Sequence, residues 1–220
     1  MQHRGERRNW KLPLGPVSVP RRGTPRLLAT AEANLCCLPL STESEGKYRY
    51  ALTRRNLTGG ASTQHVAFIL LNPSTADDQV DDPTTRRCMQ FARVWGNDSM
   101  TLLNLFALRA TDPRVLREHT DPVGPLNEAI ISAVVDRLRA ETVVIAGWGN
   151  GGGLRGQDER TLRRLCFRDI HCLGLTNQGH PRHPLYLPLG IPPQLWRRRV
   201  PPRRYKKDPA PEPCVEQGDP

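Results

Sequence analysis

Four short stretches of this 220-residue chain hold residue types that could do chemistry. They are Leu70-Leu71-Asn72-Pro73-Ser74-Thr75-Ala76-Asp77, Leu103-Asn104-Leu105-Phe106, Ala146-Gly147-Trp148-Gly149-Asn150 and Gly179-His180-Pro181-Arg182-His183-Pro184-Leu185. Each places polar groups directly after an apolar run. Asn72, His180 and His183 all precede a proline, whose ring keeps the residue before it out of the α region. The side chains include three amides, which donate and accept without changing charge, and two imidazoles, which titrate near neutrality. Plainer readings stand beside this one. Asn72-Pro-Ser-Thr also reads as a turn that satisfies strand-end amides. Gly147-Trp-Gly-Asn-Gly-Gly-Gly153 reads as a phosphate cradle or as a loop, and Asp77-Asp78-Gln-Val-Asp81-Asp82 as a cation site or as a solvated loop with a helix cap. Zinc would need closely spaced ligands, and Cys166, His171, Cys172, His180 and His183 include no Cys-x-x-Cys pair.

The elements that must position these residues follow from the apolar pattern. Lys47-Tyr-Arg-Tyr-Ala-Leu-Thr53 alternates as an edge strand does, and Val66-Ala-Phe-Ile-Leu-Leu71 is the continuous run of a strand covered on both faces. Met100-Thr-Leu-Leu-Asn-Leu-Phe106 and Thr142-Val-Val-Ile-Ala146 are two more such runs, and Asp169-Ile-His-Cys-Leu-Gly-Leu175 is a weaker fourth. Helices alternate with them. Asp82 as N-cap and Pro83 as first residue open one that runs to about Trp95. Leu126, Ile130, Val134 and Leu138 recur every fourth residue in the next, and Arg160 to Cys166 is a shorter third. The alternation predicts an α/β fold with a central, mostly parallel four-stranded sheet between helix layers, and a working site at the carboxyl ends of its strands.

Both ends differ in composition from the middle. Residues 1–47 carry 8 Lys+Arg against 4 Asp+Glu, residues 48–187 carry 17 against 14, and residues 188–220 carry 7 against 4, so the ends hold seven of the ten excess charges. Nine of the 21 prolines lie from Pro188 onward. The expected organisation is a Pro/Arg-rich extension over residues 1–44, mostly disordered, an α/β domain over 45–188, and a disordered tail over 189–220. Leu27 to Leu40 is an apolar patch with no assigned place. No apolar run approaches the roughly 20 residues of a spanning helix, and the first residues lack a signal peptide's apolar segment. Six cysteines at irregular spacings fit reduced thiols. A cytoplasmic protein with no membrane partner is expected.

The four stretches, in this order and spacing, resemble the uracil-DNA glycosylase superfamily: Leu71-Asn72-Pro73-Ser74, Leu102-Leu103-Asn104-Leu105, Gly147-Trp148-Gly149 and His180-Pro181-Arg182-His183-Pro184-Leu185. More closely, the chain resembles a bacterial family called domain of unknown function 1643. The residues that carry this are Leu71-Asn-Pro-Ser-Thr-Ala-Asp77, Asp81-Asp-Pro-Thr84, Asn104-Leu-Phe-Ala-Leu-Arg-Ala-Thr-Asp-Pro113, Asp121-Pro-Val-Gly-Pro125 and Gly179-His-Pro-Arg-His-Pro-Leu185, over roughly residues 45 to 188. The glycosylase resemblance implies a three-layer α/β/α architecture and catalytic roles for Asn72, which would position water, and His180, which would donate to the departing base. It implies a binding role for Asn104 at the edge of an extruded base, with Pro73, Ser74, Trp148, Arg182 and His183 around it. A neutral amide orients water without deprotonating it strongly, so hydrolysis would rest on stabilising the leaving group. The chain departs from the superfamily in two respects. No aromatic follows the first motif, leaving Phe91, Trp95, Phe106 or Trp148 as stacking candidates, and His180-Pro-Arg-His-Pro has one extra step with a bulky Arg182. No cofactor is implied, since adjacent Cys36-Cys37 lacks the spacing of an iron–sulfur site. Recognition of a nucleobase or nucleotide, with N-glycosidic hydrolysis as the reaction, is the leading expectation. A non-catalytic nucleic-acid or nucleotide-binding module in a DNA-modification or defence assembly is the second, and a metal-dependent hydrolase using Asp77, Asp81 and His183 the third.

Overall fold

A computed structural model describes residues 46–59, 62–74 and 81–200. The patch Leu27–Leu40, the Cys36-Cys37 pair, the Asp77 and Asp78 carboxylates and most of both tails lie outside the described residues.

The described chain forms six strands, β1 (Ala51–Arg54), β2 (His65–Leu70), β3 (Ser99–Asn104), β4 (Val143–Ala146), β5 (Ile170–Cys172) and β6 (Gln194–Arg197). Four helices lie between them, α1 (Pro83–Val94), α2 (Val115–Glu118), α3 (Asn127–Arg137) and α4 (Gln157–Arg164), with 3-10 segments at Gly149–Gly156 and Pro184–Tyr186. The strands join in one sheet in the order β1-β3-β2-β4-β5-β6. β3, β2, β4 and β5 run parallel, while β1 on β3 and β6 on β5 are antiparallel edges. The sheet is therefore mixed and six-stranded, where the sequence pattern predicts a central four-stranded sheet and an edge strand over Lys47–Thr53. The antiparallel β1 pairs Ala51 with Leu103, and Tyr48 adds only an isolated bridge to Leu108. β6 lies beyond the expected domain boundary at residue 188. Its four residues follow Pro192-Pro193 and have one half-buried side chain, so they present no periodicity to read.

β2 shows why its apolar run is unbroken. Val66, Phe68 and Leu70 pack with Cys88, Phe91 and Ala92 of α1. Ala67 and Ile69, which point the other way, pack with Ile130, Ile131, Val134 and Val135 of α3. Each fully buried side chain of this size contributes roughly 1.5–3 kcal/mol. α1 begins where expected, with the Asp82 carboxylate accepting from the Thr85 N–H at 2.6 Å and Pro83 at its first position. α4 starts after two residues in left-handed conformation, Arg155 (φ 55°) and Gly156 (φ 66°). The Arg155 guanidinium holds that turn by donating to the carbonyls of Thr120 at 3.0 Å and His119 at 2.7 Å.

Candidate functional site

The order of the parallel strands fixes where a ligand can sit. From β2 the chain crosses to β3 on one side, and from β4 it crosses to β5 on the other, so the carboxyl ends of β2 and β4 border a crevice at the topological switch point. Three segments meet there. A Cβ on Gly147 would lie 3.0 Å from Pro184 Cδ and 3.1 Å from Leu70 Cδ2, so the end of β4 closes tightly on both. A Cβ on Gly151 would lie 2.8 Å from Leu71, and one on Gly153 would lie 3.6 Å from His180 Cε1. The glycine-rich segment thus runs along the rim from the neighbour of Asn72 to His180.

Asn72 is half-buried, and its amide nitrogen donates to Ala110 O at 2.7 Å and to Pro73 O at 3.0 Å. With both N–H groups engaged, the chemistry this side chain can offer is that of an oriented acceptor, Oδ1. Pro73 is buried and its carbonyl also accepts from Ala110 N at 3.0 Å, so the two act as backbone anchors for the turn; Ser74 follows, half-buried. Asn104 ends β3 opposite Leu70. Strand alternation places its side chain on the same face as Leu102, which packs with α1. It is 2% exposed, and its Nδ2 has no hydrogen-bond partner. A buried donor left unmade costs about 1–3 kcal/mol, so the site carries an unmet demand for an acceptor. The Asn104 backbone is held from the other face, where the buried Asn127 at the start of α3 donates from Nδ2 to the carbonyls of Asn104 and Leu105, both at 2.9 Å.

The two histidines of the late motif part company. His183 stands beside α1, and its Nδ1 accepts from the Leu185 N–H at 3.3 Å. Nδ1 then carries no proton, and the ring's hydrogen sits on Nε2. Burial lowers the His183 pKa against a smaller opposing pull from Asp82, which keeps the imidazole neutral at pH 7. His183 is therefore a neutral Nε2–H donor beside Pro184, the residue that closes on Gly147 and Leu70. His180 lies toward α4, where the Asp158 carboxylate faces its Nδ1 at 3.6 Å. Its backbone is strapped by Thr176, whose N–H donates to His180 O at 2.8 Å and whose hydroxyl donates to Asn150 Oδ1 at 2.7 Å.

Trp148 is packed away. It is 2% exposed, sits against Gly152, and meets Trp196 of β6 edge-on with ring centroids 5.7 Å apart. Buried against Gly152 and Trp196 of β6, a strand the sequence pattern does not show, it is not available to stack on a base. Phe91 and Phe106 are fully buried, and Trp95 packs on Phe68 and Phe91. Arg182 is exposed beside Gly174. The structure thus places Asn72, Pro73 and Asn104 at or just beyond the ends of the paired strands β2 and β3, His183 beside α1, His180 toward α4, and Trp148 in the core. Asp158 and Asn127 are the residues that sequence reasoning missed. Each opens a helix and so reads as an ordinary first-turn polar residue; only its partner, 22 or more residues away in the chain, gives it a role.

Among the described residues no group of three or more His, Cys, Asp or Glu comes together as a metal site. Two clefts lie elsewhere: one of about 340 Å³ between the end of α4 and the end of β6, and one of about 380 Å³ lined by Asp121, Glu128, Arg155, Gln157 and Arg160. No helix is long and apolar enough to cross a membrane among the described residues. The family model DUF1643, a protein of unknown function, matches residues 49–185. No curated protein and no solved structure matches the chain. The chain belongs to the DUF1643 family.

Proposed function

We propose that this DUF1643 protein recognises a nucleobase or nucleotide at the rim between β2 and β4 and hydrolyses an N-glycosidic bond there, on a uracil-DNA-glycosylase-like architecture. The observation that carries the reading is the buried Asn104 amide, whose Nδ2 lacks an acceptor. The carbonyl or ring nitrogen of a base would supply one. Four parallel strands leading toward the four motifs support the architecture. In this reading Asn72 Oδ1 orients the attacking water. Breaking the C–N bond leaves negative charge on the base, and a fixed donor at that charge is worth about 3–4 kcal/mol. His183 fits that part better than His180, because its tautomer is set by Leu185 N–H and its ring is neutral.

The test pairs a substrate panel with Asn104→Leu. Purified protein is incubated with oligonucleotides carrying uracil, hypoxanthine or alkylated bases and with free modified nucleosides, and released base is measured. Cleavage or base-dependent binding is expected, and Asn104→Leu should lose it while melting at or above the wild-type temperature, since an unmet donor has been removed. No base-dependent binding or cleavage across the panel would overturn the reading. A marked fall in the stability of Asn104→Leu would assign the amide to the fold. One observation favours a second reading, a non-catalytic nucleic-acid or nucleotide-binding module: the buried Trp148 leaves the rim without that stacking face. Base-dependent binding without cleavage, unchanged by His183→Ala, would decide for it.

A further inference from the structure

The proposed hydrolysis has an oriented water and a leaving-group donor, and neither removes a proton. The Asn72 amide is neutral, and His183 has its Nδ1 occupied as an acceptor and its Nε2 already protonated. We infer that His180 is the general base of the site and that Asp158 is its positioning residue. This rests on the function proposed above and adds to it the group that activates the nucleophile.

Three observations place the base. Asp158, in the first turn of α4, faces His180 Nδ1 at 3.6 Å with its side chain largely buried, while the imidazole keeps 27% of its surface open. An N–H at Nδ1 directed at a carboxylate leaves the lone pair on Nε2, the form a base requires. The distance exceeds that of a direct hydrogen bond, as catalytic contacts often do before substrate binds. Second, the backbone that carries the ring is fixed by a neighbouring residue. The His180 N–H donates to Thr176 Oγ1 at 3.2 Å, its carbonyl accepts from Thr176 N, and Thr176 is tied to Asn150. Third, the glycine-rich segment borders both His180 and Leu71, the residue before the water-orienting Asn72. A Cβ on Gly153 would lie 3.6 Å from His180 Cε1 and one on Gly151 would lie 2.8 Å from Leu71 Cδ2, with one residue between the two glycines. A Cβ at Gly151 would crowd Leu71 at 2.8 Å, so the small residues are what allow this approach.

The step balances. The water held by Asn72 Oδ1 transfers a proton to His180 Nε2 as its oxygen bonds to the sugar's anomeric carbon. The C–N bond breaks, its electron pair goes to the base, and the charge that develops on the base oxygen is met by His183 Nε2–H. The resulting imidazolium at His180 is stabilised by the Asp158 carboxylate until it releases its proton to solvent.

The experiment measures single-turnover base release from the best substrate of the panel by wild type, His180→Gly, Asp158→Asn and Asp158→Glu, with a thermal melt for each. His180→Gly is expected to lower the rate on the order of 10²-fold or more at unchanged melting temperature and unchanged substrate affinity, and added imidazole should restore a substantial part of it. Asp158→Asn should lose roughly tenfold in kcat with little change in KM, and Asp158→Glu should recover part of that. A strap without acid–base work would not respond to free imidazole. Should wild type release base while His180→Gly keeps its rate, or should imidazole rescue nothing in folded His180→Gly, the inference falls and the proposed function stands. If wild type releases no base from any substrate, the proposed function and this inference fall together.

Discussion

Replacing Gly152 with alanine tests the packing that seats the glycine-rich segment on the sheet. A Cβ at Gly152 would lie 2.9 Å from Trp148 Cγ and would overlap Cδ1 and Nε1 outright, where carbon atoms normally stay about 3.5 Å or more apart. The obstacle is the rigid body of an indole that is 2% exposed and braced edge-on by Trp196. Either the ring or the backbone must shift by more than about 1 Å. Overpacking of this kind costs about 1–3 kcal/mol. Disturbing the Trp148–Trp196 pair adds about 0.5–1.5 kcal/mol. The sum is about 2–4 kcal/mol, which for a domain of this size lowers the melting temperature by roughly 5–15 °C. Gly153→Ala is the internal control, since its Cβ would meet only His180 Cε1 at 3.6 Å, ordinary contact. Both variants share the loss of unfolded-chain freedom that alanine brings, so the difference between them isolates the clash. Thermal and urea denaturation of the two variants and wild type, at neutral pH, give the comparison. Equal stability of Gly152→Ala and Gly153→Ala would refute the argument and with it the placement of Trp148.

Acid should weaken the fold through His65. Burial holds its pKa down at about 4, against 6.5 in the unfolded chain, with Arg55 pushing the same way. The unfolded state then takes up the proton first, so stability intact above about pH 6.5 falls by roughly 3 kcal/mol as the pH drops to about 4 and changes no further through this group below that. His171 and His183 are lowered too and act in the same direction. Urea titrations at pH 7.5, 5.5 and 4.5 should show a shallower fall for His65→Gln than for wild type, and parallel profiles would refute the assignment. Arg168 closes the carboxyl end of α3, its guanidinium donating to the carbonyls of Val135 at 2.9 Å, Arg139 at 2.5 Å and Leu138. Arg168→Ala should cost about 2–4 kcal/mol in urea denaturation, and Arg168→Lys should recover only part because an ammonium cannot serve three carbonyls in a fork; a change under about 0.5 kcal/mol in the alanine variant would count against it.

What could be read from the chain, and what could not, divides along physical lines. β2, β3 and β4 are covered on both faces, so their inner side chains are mostly apolar, with Thr101 and Asn104 the buried polar exceptions in β3, and the pattern shows in one dimension. α1 announces itself through Asp82 and Pro83, whose roles depend only on neighbours within one turn. β6 escapes notice because its pairing is with residues some 22 positions earlier, Gln194 with Cys172, and its exposed side chains have no reason to alternate. The missing strand then misplaces Trp148, since the partner that buries it is Trp196. The candidate site shows the same division. Asn72, Asn104 and His183 stand out because proline or strand ends mark them. Their working atoms are decided by contacts that no spacing reveals: Ala110 O engages the Asn72 nitrogen, Leu185 N–H fixes the His183 tautomer, and Asp158 faces His180.

The antiparallel edges have a bearing on how the molecule can be tethered. β1 runs against β3, so the chain comes into the domain beside the rim, where Lys47 O accepts from Arg109 N at 2.9 Å. β6 runs against β5, so the chain leaves at the opposite pole, where Val200 N–H reaches Cys166 O at 2.7 Å. A reporter or surface linker joined after residue 200 would leave the rim facing free solution, while cargo joined ahead of residue 46 would stand at its doorway and compete with whatever approaches.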